Sequence, residues 1–445
     1  MIGFTKLLCG TATVAEALNY ARPGAGRRTP AGILQFTTAD RPLVVWNTTA
    51  LCNLRCLHCY SAARFQGENA ADPVPGISDE LSTDEARALI DDLAALGTPV
   101  LLLSGGEPLL RPDIFDLAAY AHRRGIRAVL STNGTLITAE VAKRLARSGV
   151  AYVGVSLDGA PPTHDRLRQR AGAFEQAMAG IAHAQAAGLR TGVRMTVTRD
   201  NLADLDEVLD IVEEHRIPRF CLYHLVYAGR GRDLVPRDLS HAERRAMVER
   251  LIARTLDWHA RGVAAEILTA DGHADGVLIS RYVREHDPAR AEVLPHGQTG
   301  GSAVGSKPAR KAAPAAPVRE PLRGVLRLLA MAGGCSAGRK FAAIDARGGV
   351  HPCQFWTHVT LGNVRDRPFS EIWHDPALPL LAKLKSLPEH LTGRRCGHCR
   401  YKALCGGCRV RAEAVGGDPW GDDPACYLTD EEIGLIDESG EVPAS

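Results

Sequence analysis

The sequence carries almost no net charge: 53 Lys and Arg against 51 Asp and Glu leave a formal +2 over 445 residues. Such a balance provides neither a basic footprint for nucleic acid nor an acidic tail, so charge implies no partner. Also missing is an uninterrupted apolar run long enough to span a bilayer, and Met1 to Gly10 lacks the basic region and long apolar stretch of a signal peptide. The expectation is a soluble, cytoplasmic protein with no membrane or nucleic-acid partner. Its twelve cysteines then read better as metal ligands than as disulfides, because a reducing compartment keeps thiols free.

What is present is a β/α rhythm. The β-rich run Leu43–Thr48 leads directly into a cysteine group. A helix beginning at Ser82 with acidic residues in its first turn follows, then the apolar run Val100–Leu103 and a helical pattern near Ile114–Arg123. Further strands are expected at Ala128–Ser131, Tyr152–Ser156, Gly192–Val197 and Phe220–Leu225, the last three each preceded by a periodic helical stretch. Alternation of this kind implies parallel strands joined by right-handed crossovers. Six strands are too few for a closed eight-stranded barrel, so the fold class is α/β, an open (β/α)6 partial barrel with its chemistry at the carboxyl ends of the strands.

The domain boundaries follow from composition. Residues 1–40 form an N-terminal arm, 41–285 the partial barrel, 286–330 a linker and 331–445 a cysteine-rich domain. Within the linker, Gly297–Pro321 is rich in Gly, Ala, Pro and Lys and reads as flexible. Beyond it stand seven cysteines in a region with few regular periods, which suggests a domain stapled by metal rather than by a large core.

Cys52, Cys56 and Cys59 form C-x3-C-x2-C immediately after the first strand. Three thiolates leave one iron of a four-iron cluster without a protein ligand, and an open iron implies a ligand that changes during turnover. Zinc or buried free thiols are the alternatives, although zinc usually recruits four protein ligands. Ser104-Gly105-Gly106-Glu107-Pro108 follows the second strand, where bare backbone can come close to a partner. Ser131 and Asn133 end the third strand, and Ser156 and Asp158 the fourth.

With its C-x3-C-x-aromatic-C pattern, His58 taking the aromatic place, and its GGEP turn, the chain resembles the radical S-adenosylmethionine superfamily over nearly its whole length. That resemblance implies a [4Fe-4S] cluster on Cys52, Cys56 and Cys59 whose open iron chelates the methionine moiety and whose electron releases a deoxyadenosyl radical. It places Gly105, Gly106 and Glu107 against the methionine ammonium, and Ser131, Asn133, Ser156 and Asp158 in the layer of ribose and carboxylate contacts. Arg168, in HDRLRQRAGAF, resembles the arginine that meets the methionine carboxylate, a role suited to a planar guanidinium. His58 is carried over as a cofactor neighbour.

The second group resembles the SPASM auxiliary-cluster domain: Cys335, Gly348 and Cys353 give C-x12-G-x4-C, and CGHCRYKALCGGC gives Cys396, Cys399, Cys405 and Cys408, with Cys426 last. One departure is C-x2-C at Cys405–Cys408 where many members have C-x3-C. By resemblance, Cys396, Cys399, Cys405 and Cys426 enclose one cluster, and Cys335, Cys353 and Cys408 hold a second with an open iron, giving one or two auxiliary [4Fe-4S] clusters. A pair of zinc-ribbon-like sites is the alternative that C-x2-C spacing allows. Cys9 and Cys221 belong to neither array and read as buried thiols.

The runs MIGFTKLLCGT, LVVWNTTALCNLRCLHCY, YHLVYAGRGRDL, LTADGHADGV and GDPWGDDPACYLTDEE look like one subgroup, the radical enzymes of heme d1 synthesis and of the siroheme-dependent heme pathway. The resemblance is nearest to enzymes that leave methyl groups where two acetate side chains of 12,18-didecarboxysiroheme stood. The fuller cysteine set of the tail looks more like the decarboxylase of iron coproporphyrin, and peptide modification is a more distant alternative. An electron carrier without a second ligand site is the non-enzymatic reading. An anionic iron tetrapyrrole needs cations and polar groups in an apolar pocket, and Arg194, His224, Tyr227, Arg230, Asp271, His273 and Asp275 are the candidates, with His273 a possible iron ligand. A ferredoxin or flavodoxin is the implied electron donor.

Overall fold

The computed structural model describes residues 1–10, 38–61, 63–65, 79–288, 324–332 and 334–436. Its frame is a sheet that begins with strand β1 (Leu43–Asn47), β2 (Val100–Ser104), β3 (Arg127–Thr132), β4 (Val153–Ser156), β5 (Thr191–Val197) and β6 (Arg219–His224). These are the six expected strands. A seventh, β7 (Glu266–Ala270), was not anticipated, and all seven run parallel in sequential order. Its sequence EILTA is short and half polar, which is why it escaped a reading based on apolar runs.

Strands covered on both faces tolerate continuous apolar runs, and VLLLS and LVVWN are of that kind. Helices supply the cover. Thr83–Leu96 starts at a capping box in which Ser82 and Glu85 each satisfy the other's backbone N–H, and ends at Gly97 in the left-handed region. Its buried Ala86, Leu89, Ile90 and Leu93 follow helical spacing along one face. Ile114–Arg123 lies where the sequence places it.

Both edges of this parallel array are extended. Ile2–Gly3 pairs antiparallel with β7, Ile2 opposite Thr269, and the fully buried Phe4 opens the helix that follows. The arm expected at 1–40 is thus tied into the sheet at its start, while 11–37 lies outside the described residues. At the other edge β8 (Phe341–Ile344) pairs parallel with β1, Phe341 opposite Leu43, and β9 (Gly349–His351) and β10 (Gly362–Asn363) continue antiparallel. The cysteine-rich domain therefore shares the barrel's sheet.

The segment Gly297–Pro321, expected to be flexible, lies outside the described residues. Residues 324–330, assigned to the linker, belong to helix Gly324–Ala332, whose Val325 and Leu329 are buried. Among the described residues no helix is long and apolar enough to cross a membrane.

Candidate active site

The register of the sheet brings the chemistry to one level. Asn47 stands opposite Ser104, Thr132 opposite Val155, and Ser156 opposite Arg194, so the segments after these strands open on the same end. There a solvent-open cleft spans roughly 1070 Å³ with the solvent at its mouth included. Cys52, Cys56, His58 and Cys59 line it, as do Gly105, Gly106, Ser131, Asn133, Ser156, Asp158 and Arg168. Of the residues expected around the cofactor, Glu107 alone is absent from the wall.

Glu107 is fully buried behind that wall. One carboxylate oxygen accepts from Thr132 Oγ1 at 2.7 Å and from Leu109 N at 3.2 Å, the other from Asn133 N at 2.9 Å. It joins the end of β2 to the end of β3. Burial pushes its carboxyl up to about 7 in spite of these donors.

The two glycines before it are required by backbone, not only by a ligand. A Cβ on Gly106 would lie 1.9 Å from Leu51 O, and one on Gly105, whose φ is +132°, 2.5 Å from Thr49 O. Gly106 N donates to Thr49 O at 2.8 Å and Glu107 N to Leu51 O at 2.6 Å. The turn thus clasps the chain immediately before Cys52. On its other side the cysteine loop is held by Leu57 N donating to Leu167 O at 2.9 Å, by Arg230 N to Cys59 O at 2.9 Å and by Arg230 Nε to Cys56 O at 2.8 Å.

The thiols fit a cluster. Leu54 N donates to Cys52 Sγ at 3.4 Å, Arg168 Nη1 to Cys56 Sγ at 3.3 Å, and Ser61 Oγ lies 3.4 Å from Cys59 Sγ. Burial, helped by Glu107, Cys56 and Cys59, pushes Cys52 up to about 12, and burial raises Cys56 against the pull of Arg168. Buried thiols so placed ionise only against a bound cation, which a cluster's irons supply.

Asp158 is clamped between His58, 3.2 Å away at Nε2, and Arg168. Burial alone would raise its carboxyl, but Arg168 and then His58 hold it well below the usual carboxylate range. Its Oδ1 accepts from Thr196 N at 2.8 Å.

Sequence reasoning missed Tyr60, Thr196, Tyr223, Gln354 and Phe355, all in the wall. The last two follow Cys353, so the cysteine-rich domain closes this cavity, and Phe355 meets Tyr60 edge to face at 5.0 Å. Adjacency to a cysteine of the second array was the only sequence signal for them.

The substrate candidates divide. Arg194 and Arg230 line the cavity, and Gly154 makes room for Arg194, since a Cβ there would lie 2.3 Å from its Nε. His224 also lines it, but both nitrogens are engaged. Arg244 Nη1 donates to Nδ1 at 2.6 Å, which leaves the proton on Nε2 to bond Asp275 Oδ2 at 2.8 Å. Asp275 further accepts from Thr269 Oγ1 and Tyr427 OH, and Tyr227 OH donates to Asp238 Oδ2 at 2.7 Å. His273 opens instead on a second, smaller cavity, beside Cys396, Cys399, Cys405 and Cys426.

That second cavity gathers the four thiols expected to enclose one cluster. Asp423 N donates to Cys396 Sγ at 3.4 Å and Tyr401 N to Cys399 Sγ at 3.3 Å, and burial raises all four thiols. Cys335, Cys353 and Cys408 form a separate set, in which Cys353 packs against the apolar groups around both Cys335 and Cys408. Asp423 stands between the sets, its Oδ2 accepting from Cys408 N at 2.7 Å. All twelve cysteines are free thiols, Cys221 buried and Cys9 partly so.

Parallel strands that deliver three thiols, a glycine clasp and a ligand-sized cavity to one end, closed by a domain with two further thiol sets, define an iron–sulfur radical enzyme. The chain belongs to the Radical SAM superfamily, whose model matches residues 46–270, and carries an iron–sulfur cluster-binding SPASM domain matched at 335–409. Its cofactors are a [4Fe-4S] cluster with S-adenosylmethionine and auxiliary iron–sulfur clusters. It is 44% identical to Fe-coproporphyrin III synthase of Methanosarcina barkeri over 98% of this chain and 100% of that one. It is 39% identical to pre-heme d1 synthase of Dinoroseobacter shibae, over 91% of this chain and 90% of that one. The fold is shared with Streptococcus suis SuiB bound to its precursor peptide SuiA, with a TM-score of 0.63, 17% identity and 88% and 77% of the two chains covered.

Proposed function

We propose that the chain removes the two acetate side chains of 12,18-didecarboxysiroheme on the way to heme. The observation that carries this is one continuous cavity, running from the three thiols to the cationic Arg194 and Arg230 and closed by Phe355 and Gln354 of the auxiliary domain. When bound, the cluster supplies one electron to S-adenosylmethionine and so releases the 5′-deoxyadenosyl radical.

The remaining work belongs to the chain. Gly105, Gly106, Ser131, Asn133, Ser156 and Arg168 present backbone and polar groups to the S-adenosylmethionine, and Asp158 fixes Arg168 and His58. Arg194, which also donates to Ser131, and Arg230, whose own Nη2 is buried without a partner, are placed to receive carboxylates of the substrate. Tyr60, Tyr223 and Phe355 give a macrocycle apolar cover and exclude water from a reactive radical. The nitrogens of His224 are committed to Arg244 and Asp275, so that residue shapes the wall rather than binding iron.

Two relatives named for iron coproporphyrin III and pre-heme d1 support a tetrapyrrole. Removing both acetates from 12,18-didecarboxysiroheme leaves iron coproporphyrin, which fits the name of the 44% identical relative. The complete set Cys335, Cys353 and Cys408 favours a second reading, decarboxylation of iron coproporphyrin. The one-electron donor is a ferredoxin or flavodoxin, and the free cysteines support a cytoplasmic setting.

The test is anaerobic incubation of the reconstituted chain with S-adenosylmethionine, dithionite and each tetrapyrrole in turn, followed by mass spectrometry. Loss of two acetate units from didecarboxysiroheme alone is expected. Conversion of iron coproporphyrin alone would transfer the proposal to the second reading. With 5′-deoxyadenosine formed but neither tetrapyrrole altered, both would fall.

A further inference from the structure

Three thiols in the second auxiliary set leave one iron of a four-iron cluster without a cysteine. Its surroundings are mostly apolar: Val226, Ala228, Trp356 and Val410 pack with Cys408, and Ala337, Leu387 and Leu391 with Cys335, with Cys353 touching both groups. Against that background one carboxylate stands out.

Asp271 follows β7 at the carboxyl end of the sheet and is one of three non-glycine residues with positive φ among the described residues, at +62°. Its Oδ2 is buried and has no hydrogen-bond partner. A carboxylate oxygen so placed costs stability unless something cationic meets it. The backbone is held firmly: Arg411 Nη2 donates to the Asp271 carbonyl at 2.5 Å, its Nη1 to the Leu225 carbonyl at 3.1 Å, and the same guanidinium pairs with Asp423. Since Asp423 also accepts from Cys408 N, Arg411 and Asp423 together link the Asp271 backbone to the backbone of the thiol set.

Asp423, the other carboxylate near Cys408, is committed to Arg411 and to the N–H groups of Cys408 and Ala425. Asp271 alone of the two has an oxygen free to bind.

We infer that Asp271 supplies the fourth, non-cysteine ligand of the cluster held by Cys335, Cys353 and Cys408. Binding is a ligand exchange: the deprotonated carboxylate oxygen takes the open iron position, solvent leaves, and no electron moves. The barrel thereby contributes a ligand to the auxiliary domain. The inference stands independently of which substrate the enzyme modifies.

The test uses the full chain reconstituted with iron and sulfide, read by iron content and by electron paramagnetic resonance of reduced and mildly oxidised samples. Cys408→Ala and Cys426→Ala identify the signal of each auxiliary cluster. Asp271→Ala and Asp271→Asn are expected to disturb the signal that Cys408→Ala removes, to leave the one that Cys426→Ala removes, and to give a three-iron signal on oxidation. Asp271→Cys should restore iron content with shifted g values. Unchanged spectra in all three Asp271 variants would overturn the inference. So would loss of every signal in Asp271→Asn, which keeps the side chain's shape, because a ligand role touches one cluster alone.

Discussion

Arg168 and Cys56 are in direct contact, Nη1 donating to Sγ across 3.3 Å, while the same guanidinium pairs with the buried Asp158. One side chain thereby holds a thiol and neutralises a carboxylate in the cavity wall. Truncation to Arg168→Ala leaves Asp158 buried without its main cation, a loss of ~3–5 kcal/mol in stability. The yield of 5′-deoxyadenosine per turnover assay should fall by about tenfold or more, since a hydrogen bond to a charged group is worth ~1.5–3 kcal/mol. Arg168→Lys keeps charge but not the fork and should fall between. Normal iron content and normal yield in Arg168→Ala would refute the assignment.

The glycine clasp predicts a sharp contrast. Gly106→Ala drives a Cβ into Leu51 O, a backbone atom that cannot swing aside, so a loss of ~3 kcal/mol or more and a failure to retain the radical-site cluster are expected. Gly416→Ala, near the end of helix Arg409–Gly416 with nothing within 4 Å of the new Cβ, should be neutral or stabilising by up to ~1 kcal/mol. Thermal unfolding of the two variants beside the parent chain decides it, and equal midpoints would count against the clasp.

Asp275 accepts from His224, Thr269 and Tyr427 in a site with no water access, and burial is outweighed by these partners so that its carboxyl stays below its ordinary value. Asp275→Ala strands three donors and should cost ~3–5 kcal/mol in urea unfolding, with Asp275→Asn milder because it keeps the shape. A cost under about 1 kcal/mol for Asp275→Ala would show the network to be slack.

Glu107 sets a pH dependence for the metal-free chain. Its carboxyl is raised from 4.5 to about 7, so the folded state holds the proton more tightly than the unfolded one. The stabilising contribution is complete below about pH 4.5 and is lost as pH climbs through about 7. Glu107→Gln should flatten stability over this window by removing a term of about 3 kcal/mol. Urea unfolding at intervals across the window measures it, and an undiminished slope in the variant would assign the titration elsewhere.

Much of this was legible in the sequence, for identifiable reasons. Apolar runs such as VLLLS and helix starts such as Ser82-x-x-Glu85 are local signals, and the strands and helix they mark lie within a residue or two of expectation. The cysteine arrays were legible because ligand spacing survives any fold. Long-range facts were not. Nothing in EILTA announces a seventh parallel strand, and nothing in FAAI announces a partner for Leu43–Asn47. Side-chain direction was equally hidden: Glu107 turns behind the wall, His224 spends both nitrogens internally, and His273 faces the other cavity, because each orientation is set by partners far away in sequence.

The pairing of β8 with β1 has a consequence for synthesis. The strand that launches the cysteine loop is made early, yet its free edge, with Val44, Val45 and Trp46 fully buried in the finished protein, stays bare until Phe341–Ile344 arrives far downstream. An unsatisfied edge of that kind is a template for pairing with other chains. A chain cut short in between would leave that edge open to its own copies, so the cysteine-rich domain serves the barrel as an edge guard.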